Sequence, residues 1–184
     1  MQRFFILRQN VTMRSILVSF LFILLAVIPA SGQLKIEASR KFVVMGEVEK
    51  HVVFDIAAIK KYPAISLGDV VIKNHRGQDK KTAKNVKGVL LKTLLDRVSV
   101  TVSKPKYYSE LVVVLTATDG YKNVYSWNEL VNTDVGNHVY VVTEKDGENI
   151  EIMDESIVVI STSDINPGSR YLRGLSKLEI KREE

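Results

Sequence analysis

Hydrophobic positions in this chain fall mostly into short runs with strand character, broken by single glycines, prolines and charged residues. Phe42 to Met45 and Val52 to Phe54 are two β-rich runs separated by Gly46 to Lys50, a spacing that predicts a hairpin. Asp55 stands where a helix N-cap belongs, Ile56, Ile59 and Tyr62 follow at helical spacing, and Pro63 ends the turn. Ile65 to Lys73 predicts a strand bulged at Gly68, with a polar loop from Asn74 to Lys81. Val86 to Asp96 leads into a short helix with a buried stripe of Leu90, Leu91, Leu94 and Leu95. Glu110 to Ala117 carries an unbroken apolar run and predicts a strand covered on both faces. Ser126 and Glu129 have the spacing of a capping box. Val139 to Val142 and Ile150 to Ile152 flank Asp146-Gly147, a hairpin signal, and Ile157 to Ile160 and Leu178 to Ile180 complete the strands. Three or four short helices interrupt these strands without regular alternation. The pattern predicts an α+β domain with a mixed, partly antiparallel sheet and argues against a doubly wound fold.

The first 32 residues follow a different rule. Arg3, Arg8 and Arg14 form a basic start, Ile16 to Ile28 is apolar apart from Ser19, and Pro29 precedes Ala30-Ser31-Gly32. This order is that of a secretory signal cut before Gln33, with Met13 as an alternative start. The apolar run is shorter than the ~20 residues of a spanning helix, so a stable membrane anchor is not expected. Residues 1–32 are therefore read as a signal peptide and 33–184 as one domain, exported to a periplasmic or extracellular location.

Removing the leader changes the electrostatic picture. It takes away three arginines and no acid, so 26 basic against 21 acidic residues becomes 23 against 21. A near-neutral domain gives no support for nucleic-acid binding. Lys80, Lys81, Lys84 and Lys87 form a local basic stretch that reads as a solvated loop or strand face. The chain has no cysteine, so an exported domain must hold together through its core, and about 150 residues suffice for that. Nucleophile-elbow, phosphate-loop and zinc-protease motifs are absent from the sequence.

Several segments recur in a recognisable order. Met45-Gly46-Glu47-Val48 opens the series, followed by Gly88-Val89-Leu90-Leu91-Lys92-Thr93-Leu94-Leu95 and by Asp119-Gly120-Tyr121. Ser126 with Glu129-Leu130 comes next, then Ser156 to Ile160, and finally Ser169 to Leu175 with Leu178-Glu179-Ile180. The ordered set resembles the oxidoreductase molybdopterin-binding domain, the fold of sulfite oxidases, over nearly the whole of 33–184. The resemblance implies a metal-ligating cysteine after the second main strand. The corresponding stretch here, Ile72 to Gly77, reads Ile-Lys-Asn-His-Arg-Gly. His75 offers a single imidazole, and His51 and His138 have no ligand spacing with it. No residue is thus assigned a catalytic or metal-ligating role.

The resemblance also implies a polar pocket for the pterin phosphate, with cofactor-binding positions at His75, Arg76, Asp119, Tyr121, Ser169, Arg170 and Arg173. Gly168 would admit a close backbone approach, Ser169 would present helix-start amides, and Arg170 a forked donor. Other readings stand beside these. Arg170 and Arg173 can pair with Asp164 or Glu179 instead, and Asp119-Gly120 is a turn in its own right. Two functions remain from the sequence: a non-redox relative binding molybdopterin or another small anionic ligand, or a protein-interaction module without a pocket. An enzyme whose metal is held by another residue is a third.

Overall fold

The computed structural model describes residues 37–183; the expected leader, 1–32, lies outside the described residues. The strands form two five-stranded sheets, and short helical turns fill the connections between them. The first sheet runs in the order β2 (Val52–Asp55), β1 (Lys41–Gly46), β10 (Leu175–Arg182), β5 (Leu111–Ala117), β6 (Lys122–Ser126). Its β1–β10 pair is parallel and the others are antiparallel. The second has β3 (Ile65–Lys73), β4 (Asp79–Leu90), β7 (Val139–Lys145) and β8 (Glu148–Asn149), with β9 (Val159–Ser161) also on β7. The α+β class with mixed and antiparallel pairing is therefore the one the pattern predicts, divided between two sheets rather than one.

Local chemistry explains most of the elements. In β1, Phe42 and Val44 turn inward at 1% and 0% exposure, and Phe42 stacks on Phe54 across the hairpin at 5.2 Å. β5 lies between β10 and β6, and its Val113, Val114 and Leu115 are all buried. Asp55 caps helix α1 (Ile56–Ile59) by accepting from Ala58 N at 2.7 Å. Helix α2 (Leu91–Leu95) buries Leu91, Leu94 and Leu95, as its stripe predicts, while Leu90 ends β4 half-buried. Helix α3 (Trp127–Val131) begins with the Ser126–Glu129 capping box. Gly68 sits at φ 70 where the β3–β4 register shifts, so the bulge falls at the glycine.

Three expectations change. The hairpin at Asp146-Gly147 forms, but its second strand is only Glu148–Asn149. Ile150 to Ile152 turns away because the Asn149 carbonyl takes the amides of Ile152 and Met153, and its side chain takes that of Glu151. The polar loop 74–81 contracts to a tight turn, with Asn74 N donating to Gln78 O and Asn74 Oδ1 accepting from the amides of Arg76 and Gln78. β4 consequently starts at Asp79, and the lysine-rich stretch is strand. Finally, β9 starts at Val159 rather than Ile157, since Ile157 adopts φ 54.

Candidate functional site

Three connections meet at one side of the fold: the β3–β4 turn, the β5–β6 turn, and the segment 167–173. Pairing places Lys81 opposite Ile72 and Ala83 opposite Val70. Lys81 therefore shares its strand face with the buried Ala83, while its side chain stays 40% exposed at the edge of that face. At the β5–β6 turn, Asp119 Oδ1 accepts from Tyr121 N at 2.9 Å and Gly120 takes φ 83, a tight turn closed by its own side chain. The Tyr121 hydroxyl then donates to Ser169 O at 2.6 Å, and Asn123 Nδ2 donates to Arg170 O at 2.9 Å. These two bonds tie the turn to the third segment.

That segment contains a single 3₁₀ turn, Pro167–Ser169. Two of the amides here are used within the turn itself: Ser169 N donates to Asn166 O and Arg170 N to Pro167 O. Gly168 lines the cleft and also meets a backbone partner. A Cβ there would lie 2.2 Å from Lys73 O, so glycine lets the turn press against the end of β3.

Between the three segments lies an open cleft of about 450 Å³. His75, Lys80, Lys81 and Arg173 give it a basic wall, Asp119 is its single carboxylate, and Ser169, Tyr121 and Tyr171 add hydroxyls. Among the sequence-predicted positions, His75, Asp119, Tyr121, Ser169 and Arg173 come together here. Arg76 and Arg170 are not among the lining residues. Arg170 turns the other way. Its guanidinium lies 4.3 Å over the ring of Tyr125, and it pairs with Glu129 at 2.8 Å and Asp164 at 3.6 Å. Burial pushes the Tyr125 phenol upward, against the opposing charge of the Arg170 guanidinium beside it. Asp164 is thus one acid partner of Arg170, whereas Glu179 pairs with Lys177 at 3.1 Å.

Sequence reasoning passed over Lys80, Lys81, Tyr171 and Glu155. For Lys81 a signal existed: its parity with Ala83 along β4 places it on the same strand face, from which its exposed side chain reaches the cleft. Glu155 stands behind the cleft and collects four partners. Oε1 meets Arg173 at 3.1 Å and Lys81 at 3.7 Å, while Oε2 meets Lys145 at 3.0 Å and the Tyr171 hydroxyl at 3.1 Å. Burial works against this carboxylate, but the bonds from Lys145 and Arg173 and the charges of Lys145 and Lys81 outweigh it and hold its pKa down to about 2. The Tyr171 phenol is pushed well up by burial and by the adjacent Glu155 charge. It stays a neutral donor, with the Lys81 ammonium 4.9 Å over its ring.

Comparison with solved structures reveals a neighbour for the whole arrangement of sheets. The fold is similar to that of a sulfane dehydrogenase. The match is to SoxCD from Paracoccus pantotrophus, with a TM-score of 0.58 and 15% identity, over 81% of this chain and 40% of that one. This chain thus spans less than half the length of the dehydrogenase chain it matches. At that identity the likeness concerns the fold, which agrees with the sulfite-oxidase-type architecture expected from the ordered motifs. Neither protein-family models nor curated proteins give a match to the sequence.

Proposed function

We propose that this protein is an exported, single-domain binder of a small anionic ligand, built on an oxidoreductase fold but carrying no redox centre. One observation supports this reading above the others. Lys81 and Arg173 come from separate parts of the chain and line the same open cleft beside Lys80 and His75, where Asp119 is the one carboxylate among the lining residues and Glu155 pairs with both cations from behind. Clustered donors of this kind favour phosphate-like or carboxylate groups. The cleft is open rather than filled by large side chains, which favours a ligand over a pure interaction module.

Molybdopterin is the ligand the fold suggests, and its two halves fare differently. Its phosphate suits the basic wall. Its metal does not suit the donor set. The segment where a thiolate is expected supplies Asn74 and His75, and the Asn74 oxygen already accepts two backbone amides. Among the described residues there is no group of three or more His, Cys, Asp or Glu side chains able to hold an ion. A lone imidazole is a poor replacement for a soft anionic sulfur. The proposed function therefore includes no electron transfer and derives no step through molybdenum.

Calorimetric titration of the protein lacking residues 1–32 with phosphate, pyrophosphate and a phosphorylated pterin tests the reading. Saturable binding to at least one of them is expected, weakened about tenfold or more by Lys81→Ala or Arg173→Ala. Arg170→Ala should lower stability by about 1–3 kcal/mol while leaving affinity near wild type, because its partners are Tyr125, Glu129 and Asp164. Binding that depends on Arg170 and ignores Lys81 and Arg173 would move the site elsewhere. Stoichiometric molybdenum in protein from its native compartment would favour an active enzyme instead.

A further inference from the structure

The cations of the cleft are not independent. Lys81 belongs to β4, and Tyr171 and Arg173 to the segment before β10, yet all three contact the same carboxylate behind the cleft wall. Lys145, 8% exposed, closes the far side of that carboxylate. The backbone around it is equally constrained. Gly174 N donates to Glu155 O at 3.1 Å and Leu175 N to Ile157 O at 2.8 Å. Between them Ile157 is held at φ 54, a conformation that β-branched residues rarely adopt unless the surroundings enforce it. The chain accepts a strained residue two positions after Glu155, whose carboxylate lies 3.1 Å from Arg173.

We infer that Glu155, braced by the Tyr171 hydroxyl, is a positioning residue that sets Lys81 and Arg173 as a preformed clamp for a tetrahedral oxyanion, a phosphoryl or sulfuryl group. This rests on the anion-binding reading of the cleft. A carboxylate behind an anion site has two opposed effects. Its charge repels the ligand, and its hydrogen bonds hold long, flexible side chains in one geometry that would otherwise cost entropy on binding. The contacts argue that the second effect wins. A single oxygen, Oε1, meets both cleft cations, whereas Oε2 is occupied by Lys145 and Tyr171, so the negative charge is largely neutralised where it stands.

The test uses inorganic phosphate as the probe and three variants. Glu155→Gln removes one negative charge, yet is expected to weaken phosphate binding about tenfold, the cost of losing charge-assisted orientation. Glu155→Asp keeps the charge on a shorter arm and should fall between the two, a partial rescue that a merely structural role would not produce. Asp119→Asn removes a negative charge without touching the clamp and should tighten binding. Should Glu155→Gln tighten binding in parallel with Asp119→Asn, Glu155 is only a repelling charge and the inference fails. If Glu155→Gln does not fold, Glu155→Asp decides, and binding equal to wild type overturns the clamp. Absence of phosphate binding by the wild-type protein would instead remove the cleft reading itself, and the clamp with it.

Discussion

Glu155 illustrates how one side chain can serve stability and site geometry together. Its folded pKa of about 2 lies below the ordinary 4.5. The unfolded chain therefore binds the proton more readily, and the carboxylate favours the folded state at any pH above about 4.5. That contribution drains away as pH falls through the window from about 4.5 to about 2. With the side chain 20% exposed, solvent screening leaves about 2 kcal/mol of the full linkage value. Urea unfolding at a series of pH values should show Glu155→Gln less stable than wild type near pH 7, with the gap closing between pH 4.5 and pH 2. A gap constant across that range would mean the network contributes nothing through its charge. The same scale shows what sequence reading could not see. The partners of Arg170, Glu129 and Asp164, stand 41 and 6 residues away. The nearer one is within local reach; the closer contact, with Glu129, depends on how α3 and the 167–173 segment fold together, which no local pattern records.

Elements whose ends are written in local chemistry were legible. Asp55 and Ser126 cap their helices because an oxygen three residues before an amide is within reach whatever the tertiary fold. Gly68 bulges β3 for a comparable reason, since positive φ costs glycine little. The second strand after Asp146-Gly147 was misplaced because an Asn at 149 competes for the next amides, a preference that outweighed the β-branched residues around it. Gly168 has the close backbone approach expected of it, and the neighbour the fold itself supplies is the Lys73 carbonyl. Gly168→Ala should therefore push the 3₁₀ turn off the end of β3, cost about 1–3 kcal/mol and loosen the cleft. Thermal melting together with phosphate titration checks this. An unchanged melting temperature with unchanged affinity would show that the turn packs less closely than the 2.2 Å Cβ contact requires.

At the scale of the whole molecule, two sheets bury an extensive apolar core without cysteine, and the cleft occupies one end where three connections converge. The fold was readable from the order of weak motifs, and its likeness to a sulfane dehydrogenase agrees with that order. The site was legible only in part. His75, Asp119, Tyr121, Ser169 and Arg173 line one cleft without Arg76 and Arg170, while the lysines reach it through strand pairing. Export belongs to this scale as well. Secreted protein recovered from expression of the full chain should begin at Gln33 by N-terminal sequencing, whereas an intact Met1 or Met13 start would contradict cleavage at Gly32.

The central claim is that the cleft receives an anion, and a map of amide chemical shifts during titration with pyrophosphate tests it most directly. The account predicts saturable shifts concentrated in residues 74–81, 119–121 and 168–173, with Arg173 among the largest. No saturable shift, or shifts gathered around Arg170, Glu129 and Asp164 instead, would contradict it.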